Sequence, residues 1–471
     1  MTLALHWFRN DLRLRDNTAL SQAAREADAL VPVFVLDERI LRSPSTGVPR
    51  VRFLLDCVER LARDLAARGR PLVLRRGDPR RVIPQLLRET RADLLSFNHD
   101  TSPYATRRDA AVVREAQRLG VRVLAPKDRV IFGSREVLTQ AGEPFGIFTP
   151  YRRAWQRRLA EHPELPRPLG SLPTVVPGIA SEPLPSLEAL GLRDDGAQLP
   201  TGGEAAARRR LERFLDAAVV NYDEARERPA LDGISRLSPY LRFGAISVRE
   251  CFHAASEASA TDVRCARGVA RWQDELVWRE FYAAILEAHP RVERESYQRV
   301  YDRIAWSSDD AAFAAWCEGR TGYPIVDAGI RQLAQKGWMH NRVRMLVASF
   351  LVKDLWIDWR RGERFFVQRL VDGDPGSNNG GCQWSASTGA DAAPWFRIFN
   401  PVVQARHFDP DGAYVRRFVP ELRDAPAELV HEPWRAPLLR GAYPAPIVRH
   451  EEQRQHALSR YQAVRAAGAP G

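Results

Sequence analysis

The sequence predicts an open parallel-sheet α/β domain joined by a long connector to an all-helical domain. Three observations carry this reading: short apolar runs alternate with amphipathic stretches early in the chain, prolines crowd the segment from Glu161 to Gly203, and strand patterning fades after Glu204. At 471 residues the chain exceeds the usual single-domain size, so two cores are expected. The expected division is residues 1–160, a connector at 161–203, and a helical domain at 204–471.

The expected strands are Leu3–Phe8, Leu30–Val35, Leu72–Leu74, Leu94–Phe97 and Val121–Leu124, short apolar runs of strand length. Between them, Phe53, Leu54, Val58, Leu61 and Leu65 recur at helical spacing across Val51–Ala67, and Pro79 and Pro103 stand where helices can begin. No G-x-G-x-x-G and no G-x-x-x-x-G-K-[ST] follows any strand, which disfavours ordinary nicotinamide or ATP chemistry. Beyond the connector, helical patterns run over Glu204–Val220, Ala266–Ala288 and Gly337–Leu355. There is no repeat at solenoid periods.

A net charge of +11 points toward a polyanionic partner, since cationic side chains that neutralise phosphates supply most non-specific nucleic-acid affinity. Lys127, Lys336 and Lys353 are the only lysines, so arginine stands for lysine almost everywhere, a pattern closer to coding bias than to a binding design. Cys57, Cys251, Cys265, Cys317 and Cys382 form no C-x-x-C pair and are odd in number, which fits a reducing compartment and a cytoplasmic protein. No run of 18 apolar residues and no leader pattern is present, so neither a signal peptide nor a membrane span is expected, and a chain long enough to bury its own cores demands no metal or disulfide staple.

Ten of the 12 tryptophans lie at or after Trp272, and such rings serve as core, as stacking platforms or as electron relays. On Ala266–Ala288, Glu275, Trp278 and Tyr282 fall on one face beside Arg279. A carboxyl on an aromatic face is costly to bury alone, so either Arg279 satisfies it or it awaits a polar ligand. Trp338, Asn341 and Met345 repeat that spacing, flanked by His340, Arg342 and Arg344. The stretch Asp372 to Gly381 reads as a long glycine-rich loop with two carboxylates; Gly376 and Ser377 stand where a calcium loop needs an oxygen and a glycine, so it is either a turn or backbone wrapped around a ligand.

Taken together, Tyr222, the run Ile234-Ser-Arg-Leu-Ser238, Trp272, the run Glu275-Leu-Val-Trp-Arg-Glu-Phe-Tyr282, Gly337-Trp-Met-His-Asn-Arg342, Asp372-Gly-Asp374 and Asn378-Asn-Gly-Gly381 resemble the photolyase and cryptochrome flavoproteins. The resemblance extends from Trp7–Asp16 to His431–Trp434, essentially the whole chain, and points to the class I photolyases of cyclobutane pyrimidine dimers. It implies an antenna domain followed by a helical domain holding FAD, in a light-driven DNA repair enzyme. Tyr222, Ile234, Ser235, Arg236, Leu237, Ser238, Trp272, Arg279, Arg344, Asp372, Gly373 and Asp374 would surround the cofactor, with arginine giving charge-assisted donors to its diphosphate. Asn378 would face flavin N5, where plant-type cryptochromes carry Asp.

Arg226, Glu275, Trp278, Tyr282, Asn341, Met345, Trp384 and Gln404 would line the pocket for a flipped-out dimer, which needs aromatic walls and polar groups for its base edges. Asn341 stands where (6-4) photolyases carry histidine, so the resemblance implies cyclobutane dimers. Light-excited, fully reduced FAD would pass an electron to the dimer and recover it after ring opening. Glu275, Asn341 and Asn378 are the expected catalytic residues, with Glu275 answering transient charge. A blue-light photoreceptor is the alternative.

Two departures stand out. Ile234 replaces a common threonine, and Cys382 replaces the flavin-proximal tryptophan of the three used for photoreduction, while Trp359 and Trp306 match the middle and outer members. A neutral thiol carries a hole poorly whereas a thiolate can donate electrons. Trp356 and Trp384 are candidate detours. An antenna, methenyltetrahydrofolate or 8-hydroxy-5-deazaflavin, is expected near Asn98 to Tyr104 and Arg50 to Phe53. UV-damaged DNA is the expected partner of a monomer with no obligate protein partner.

Overall fold

A computed structural model describes residues 1–436 and 441–468. Five parallel strands, β1 (Leu3–Phe8), β2 (Ala29–Asp37), β3 (Val73–Gly77), β4 (Leu94–Ser96) and β5 (Arg122–Leu124), form one sheet in the order β3-β2-β1-β4-β5. Leu5 of β1 pairs with Val31 on one side and Leu95 on the other. Leu3–Phe8 is buried throughout, as expected of a strand covered on both faces. The strand order reverses at β1, which places the usual ligand crevice of an open α/β sheet at the carboxyl ends of β1 and β4.

The expected strands recur within a few residues. β3 is displaced, running Val73–Gly77 where Leu72–Leu74 was expected, because Arg75 and Arg76 break the apolar run while their backbone still pairs with Val35 and Leu36. Helices begin at Pro79 and Pro103 as expected, prolines preset for the first helical turn.

Chain order and packing divide the molecule differently. One compact unit comprises Met1–Asp195, Leu199–Val220 and Ser235–Pro290; the other comprises Gly196–Gln198, Asn221–Ile234 and Arg291–Gly471. Buried charge explains why 235–290 groups with the sheet. Arg249 reaches Asp16 at 3.0 Å and Asp128 at 2.9 Å, and Asp128 also binds Arg13 at 2.7 Å. Buried charges demand such partners, and removing one strands the others. Glu280, also fully buried, accepts from the backbone N–H of Ile131 and Phe132 and from the Trp155 indole. The connector lies along the same unit, with Thr174 bridged to Ala29 and Ser181 accepting from the Leu74 N–H at 2.9 Å.

Three sequence expectations change. The helix expected over Glu204–Val220 is α-helical only to Arg213 and then widens into a π-turn at Phe214–Ala218. Gly337–Leu355 is not one helix. Gly337, at φ +58°, caps the preceding helix Pro324–Lys336, a left-handed position that glycine takes without a Cβ penalty, and a new helix starts at Asn341 and ends at Ser349 before a π-turn at Phe350–Asp354. The glycine-rich stretch from Asp372 is not a loop throughout. Asp374 caps a helix, Pro375–Ser385, by accepting from the N–H groups of Gly376 at 3.1 Å and Ser377 at 3.2 Å. Cap and N1 proline outweigh the poor helix propensity of Gly376, Gly380 and Gly381.

Candidate functional site

On the first unit, Ala266–Ala288 is helical over the expected span and stops before Pro290, which disfavours helical backbone at His289. Trp272, Leu276, Val277, Glu280 and Phe281 are buried, while Glu275, Trp278, Arg279 and Tyr282 are half-buried on another part of the surface. Trp278 is backed by Phe148, with ring centroids 3.7 Å apart and planes 9° apart, and leans on Tyr282 at 5.5 Å. The result is a rigid aromatic surface with a carboxyl three residues from the indole. Arg279 donates to the carbonyls of Arg129 at 2.5 Å and Leu241 at 3.3 Å, bonds that bind the helix to its own unit. Trp272 packs on Phe214 at 5.0 Å.

The stretch from Ser235 to Ser238 belongs to the same unit. The Ser235 carbonyl accepts from Arg210 at 2.7 Å, and Arg236 sits at φ +49°, a left-handed conformation uncommon for a residue with a Cβ. Such local strain concentrates where backbone is shaped around a ligand.

On the second unit, Asn341 is exposed, and its amide nitrogen lies 3.9 Å from the Met345 sulfur, so these two share a face as expected. Trp338 lies outside that helix and does not continue the face. Arg344 donates to the Met339 carbonyl at 2.8 Å and to both Asp372 oxygens, at 3.1 and 2.8 Å. Arg226 stacks its guanidinium on Tyr222 at 5.7 Å. Ile234 belongs to this unit with Tyr222. Trp384 lies alongside Phe399 at 6.4 Å, and Gln404 is half-buried on Pro401–Phe408.

The helix after Asp374 offers one open face. A Cβ built at Gly381 would meet no atom within 4 Å, so bare backbone faces free space one turn from Asn378. The Asn378 amide nitrogen donates to the Glu363 carbonyl at 3.1 Å. Within the second unit, a guanidinium able to give charge-assisted donors to a diphosphate and bare helix backbone at Gly381 that leaves room for a flat ring fit FAD; Gly373 separates the two carboxylates, one held by Arg344 and one spent on the helix cap.

Cys382 is buried at 6% exposure, and burial pushes its thiol well above the ordinary range, with Glu363 adding to the effect and Arg344 opposing it. The thiol is therefore neutral near pH 7. Trp359 is buried at 1% exposure, and Trp306 meets Trp356 at 5.1 Å between ring centroids.

Glu363 and Gln383 escaped the sequence reading, and Asn379 entered it only as part of the run Asn378 to Gly381, with no role of its own. Glu363 stands among arginines on Trp359–Arg369, a pattern that reads as a solvated helix face, and nothing local to it points to Asn378.

At the carboxyl ends of β1 and β4, Asn98 donates to Asp11 at 2.6 Å and Arg9 pairs with Asp109. Tyr104 donates to Asp37 at 2.7 Å, and Phe53 packs edge-on to Tyr240 at 5.4 Å.

Two family models match: "DNA photolyase" over residues 4–169 and "FAD binding domain of DNA photolyase" over residues 272–463. A deoxyribodipyrimidine photo-lyase of Synechococcus sp. is 41% identical over 472 residues, covering 98% of this chain and 97% of the relative. The crystal structure of a bacterial class III photolyase from Agrobacterium tumefaciens superposes with TM-score 0.92 at 38% identity, covering 99% of this chain and 98% of that one. A Synechocystis cryptochrome structure gives TM-score 0.88 at 28% identity, covering 98% of this chain and 99% of that one.

Proposed function

Because the chain belongs to the DNA photolyase and cryptochrome family, we propose that it repairs cyclobutane pyrimidine dimers in DNA by light-driven electron transfer from reduced FAD. Its activity is that of a deoxyribodipyrimidine photo-lyase, and FAD is its cofactor. The observation that carries the dimer reading is the half-buried face of Glu275, Trp278 and Tyr282, stiffened by Phe148 under Trp278. A flipped-out lesion requires a flat apolar wall and a polar group for its base edges, and this face offers both.

Bound and reduced, FAD supplies the light-excited electron donor. The chain's own residues are assigned to the lesion by their chemistry: Trp278, Tyr282, Trp384 and Met345 to its rings, and Asn341, Gln404 and Arg226 to its polar groups. Glu275 is assigned to the base edge, where its carboxyl answers charge developing on the dimer. Tyr222, Ile234, the backbone and hydroxyls of Ser235 to Ser238, Trp272, Arg279, Arg344 and Asp372 to Asp374 are assigned to FAD. Asn378 is assigned to flavin N5.

Asn341 and Asn378 favour repair of cyclobutane dimers over (6-4) lesions and over light sensing. The class I assignment rests on those motifs, alongside a class III photolyase among the solved relatives. An antenna of folate or deazaflavin type is assigned to the carboxyl ends of β1 and β4, around Asn98 to Tyr104, with Arg50 to Phe53. A solved photolyase from Sulfolobus tokodaii holds two FAD molecules, one implicated in light harvesting. UV-damaged DNA is the proposed partner of a cytoplasmic monomer; among the described residues no helix is long and apolar enough to cross a membrane.

The deciding experiment mixes dithionite-reduced, FAD-loaded protein with a UV-irradiated thymine oligonucleotide and compares dimer loss in blue light and in darkness. Loss in light alone establishes repair. No loss, with reduced FAD bound, transfers the assignment to a photoreceptor.

A further inference from the structure

We propose that Glu363 is a positioning residue for the proposed flavin, orienting Asn378 through its backbone carbonyl and Asn379 through its side chain, and that it sets how the flavin's reduction potential varies with pH. This rests on the FAD reading above. A carbonyl oxygen only accepts, so the 3.1 Å bond to Glu363 must use the Asn378 –NH2 and leaves the amide oxygen as the group free to turn elsewhere. An acceptor at N5 favours a protonated N5, the reduced form, over the bare nitrogen of oxidised flavin. The acceptor's identity is thus dictated by a backbone atom of the neighbouring helix.

The Glu363 side chain joins the same frame. Its carboxyl accepts from Asn379 at 3.2 Å; Asn379 also donates to the Val292 carbonyl at 2.9 Å and accepts from Gln383 at 3.0 Å, and Gln383 in turn donates to Val292 at 3.1 Å. Two adjacent asparagines of one helix are therefore held by one glutamate. Glu293, Arg360, Arg364 and Cys382 are the other ionisable groups that act on or feel this carboxyl. Burial dominates and pushes it up to about 7, with Glu293 adding and the Asn379 bond, Arg360 and Arg364 opposing. Below that pH the carboxyl is neutral; above it, a negative charge stands one residue's reach from Asn378 and beside the neutral thiol of Cys382. A negative charge there disfavours adding electrons to the proposed flavin, so its potential falls more steeply as pH crosses 7. The Cys382 substitution gives this weight, because a chain without the usual proximal tryptophan depends more on keeping its flavin reduced than on refilling it.

The test is a spectroelectrochemical titration of the FAD-loaded protein from pH 5.5 to 8.5, for the native chain and for Glu363→Gln, which keeps an acceptor for Asn379 and cannot ionise. A break in slope near pH 7 that disappears in Glu363→Gln, with FAD still bound, supports the proposal. Parallel profiles in the two proteins overturn it. Should Glu363→Gln lose FAD, Glu363→Asp provides the second comparison: an unchanged native profile in that variant overturns the proposal, and a displaced break supports it. Native protein that binds no FAD overturns both this inference and the reading beneath it.

Discussion

Trp278 lies flat against Phe148, 3.7 Å between centroids and 9° between planes, a stack that pairs the helix Ala266–Ala288 with the start of the helix Phe148–Glu161. An indole backed in this way keeps its orientation without a ligand, so little side-chain entropy remains to be lost on binding. Trp278→Ala is expected to weaken binding of UV-irradiated oligonucleotide by about 5- to 150-fold, the worth of one base–aromatic stack of ~1–3 kcal/mol. Binding to undamaged duplex should change little. Fluorescence anisotropy against both DNAs reads the difference, and equal losses for the two would reject the lesion-specific role.

Arg344 and Asp372 form a charge pair whose acidic member is almost wholly buried, at 3% side-chain exposure against 26% for the arginine. Arg344→Ala leaves the carboxylate without this partner, a loss of about 3–5 kcal/mol for a fully buried pair and less here because the arginine still meets solvent. Urea denaturation should show a lowered midpoint, with FAD retention falling in parallel. Retained stability and full FAD content together would show that neither role is real.

Cys382 presents a neutral thiol at the place the family resemblance assigns to a relay tryptophan, and that assignment predicts slow light-driven reduction of oxidised FAD and undiminished repair by chemically reduced protein. Cys382→Trp should accelerate photoreduction, followed by flavin absorbance under blue light with an external thiol. Fast photoreduction of the native protein, unaltered in Cys382→Ala, would contradict the broken relay and point to Trp356 or Trp384.

Lys353 is buried at 1% exposure, donating to the Ser387 hydroxyl at 2.7 Å and the Trp395 carbonyl at 3.3 Å and standing 4.2 Å from the centroid of Tyr461. Burial pulls its ammonium down to about 7 from 10.5, with Asp354 opposing. Below pH 7 it is charged in both folded and unfolded states and the full burial cost applies; between 7 and 10.5 only the unfolded chain keeps the proton, so stability rises with pH as the folded lysine is already neutral. Lys353→Met is expected to be more stable than the native protein at pH 6.5, by on the order of a few kcal/mol, with the gap closing toward pH 10. Urea unfolding at the two pH values checks this. A gap independent of pH would mean that Lys353 is not the titrating group.

Much of the fold was legible because its signals are local. The strands follow from runs such as Leu3–Phe8, and Pro79, Pro103 and the span Ala266–Ala288 announced helices whose starts or limits the structure repeats. The face of Glu275, Trp278 and Tyr282 was legible for the same reason, since a 3.6-residue period assigns neighbours on a helix without reference to the rest of the molecule. The helix starting at Pro375 was not, because its glycines argue locally for a loop and only the Asp374 cap and surrounding packing reverse that preference.

By itself, then, the sequence determined the α/β sheet, the helical remainder and the ordered motifs that carry family membership. Tertiary structure alone decided that Phe148 backs Trp278 across 130 positions of chain, that burial pushes the Cys382 thiol well above its ordinary range, and that Glu363 holds Asn378 from another helix. The physical reason is common to all three. Stacking, desolvation and hydrogen-bond orientation depend on atoms distant in sequence, whereas helical and strand periods depend only on neighbours.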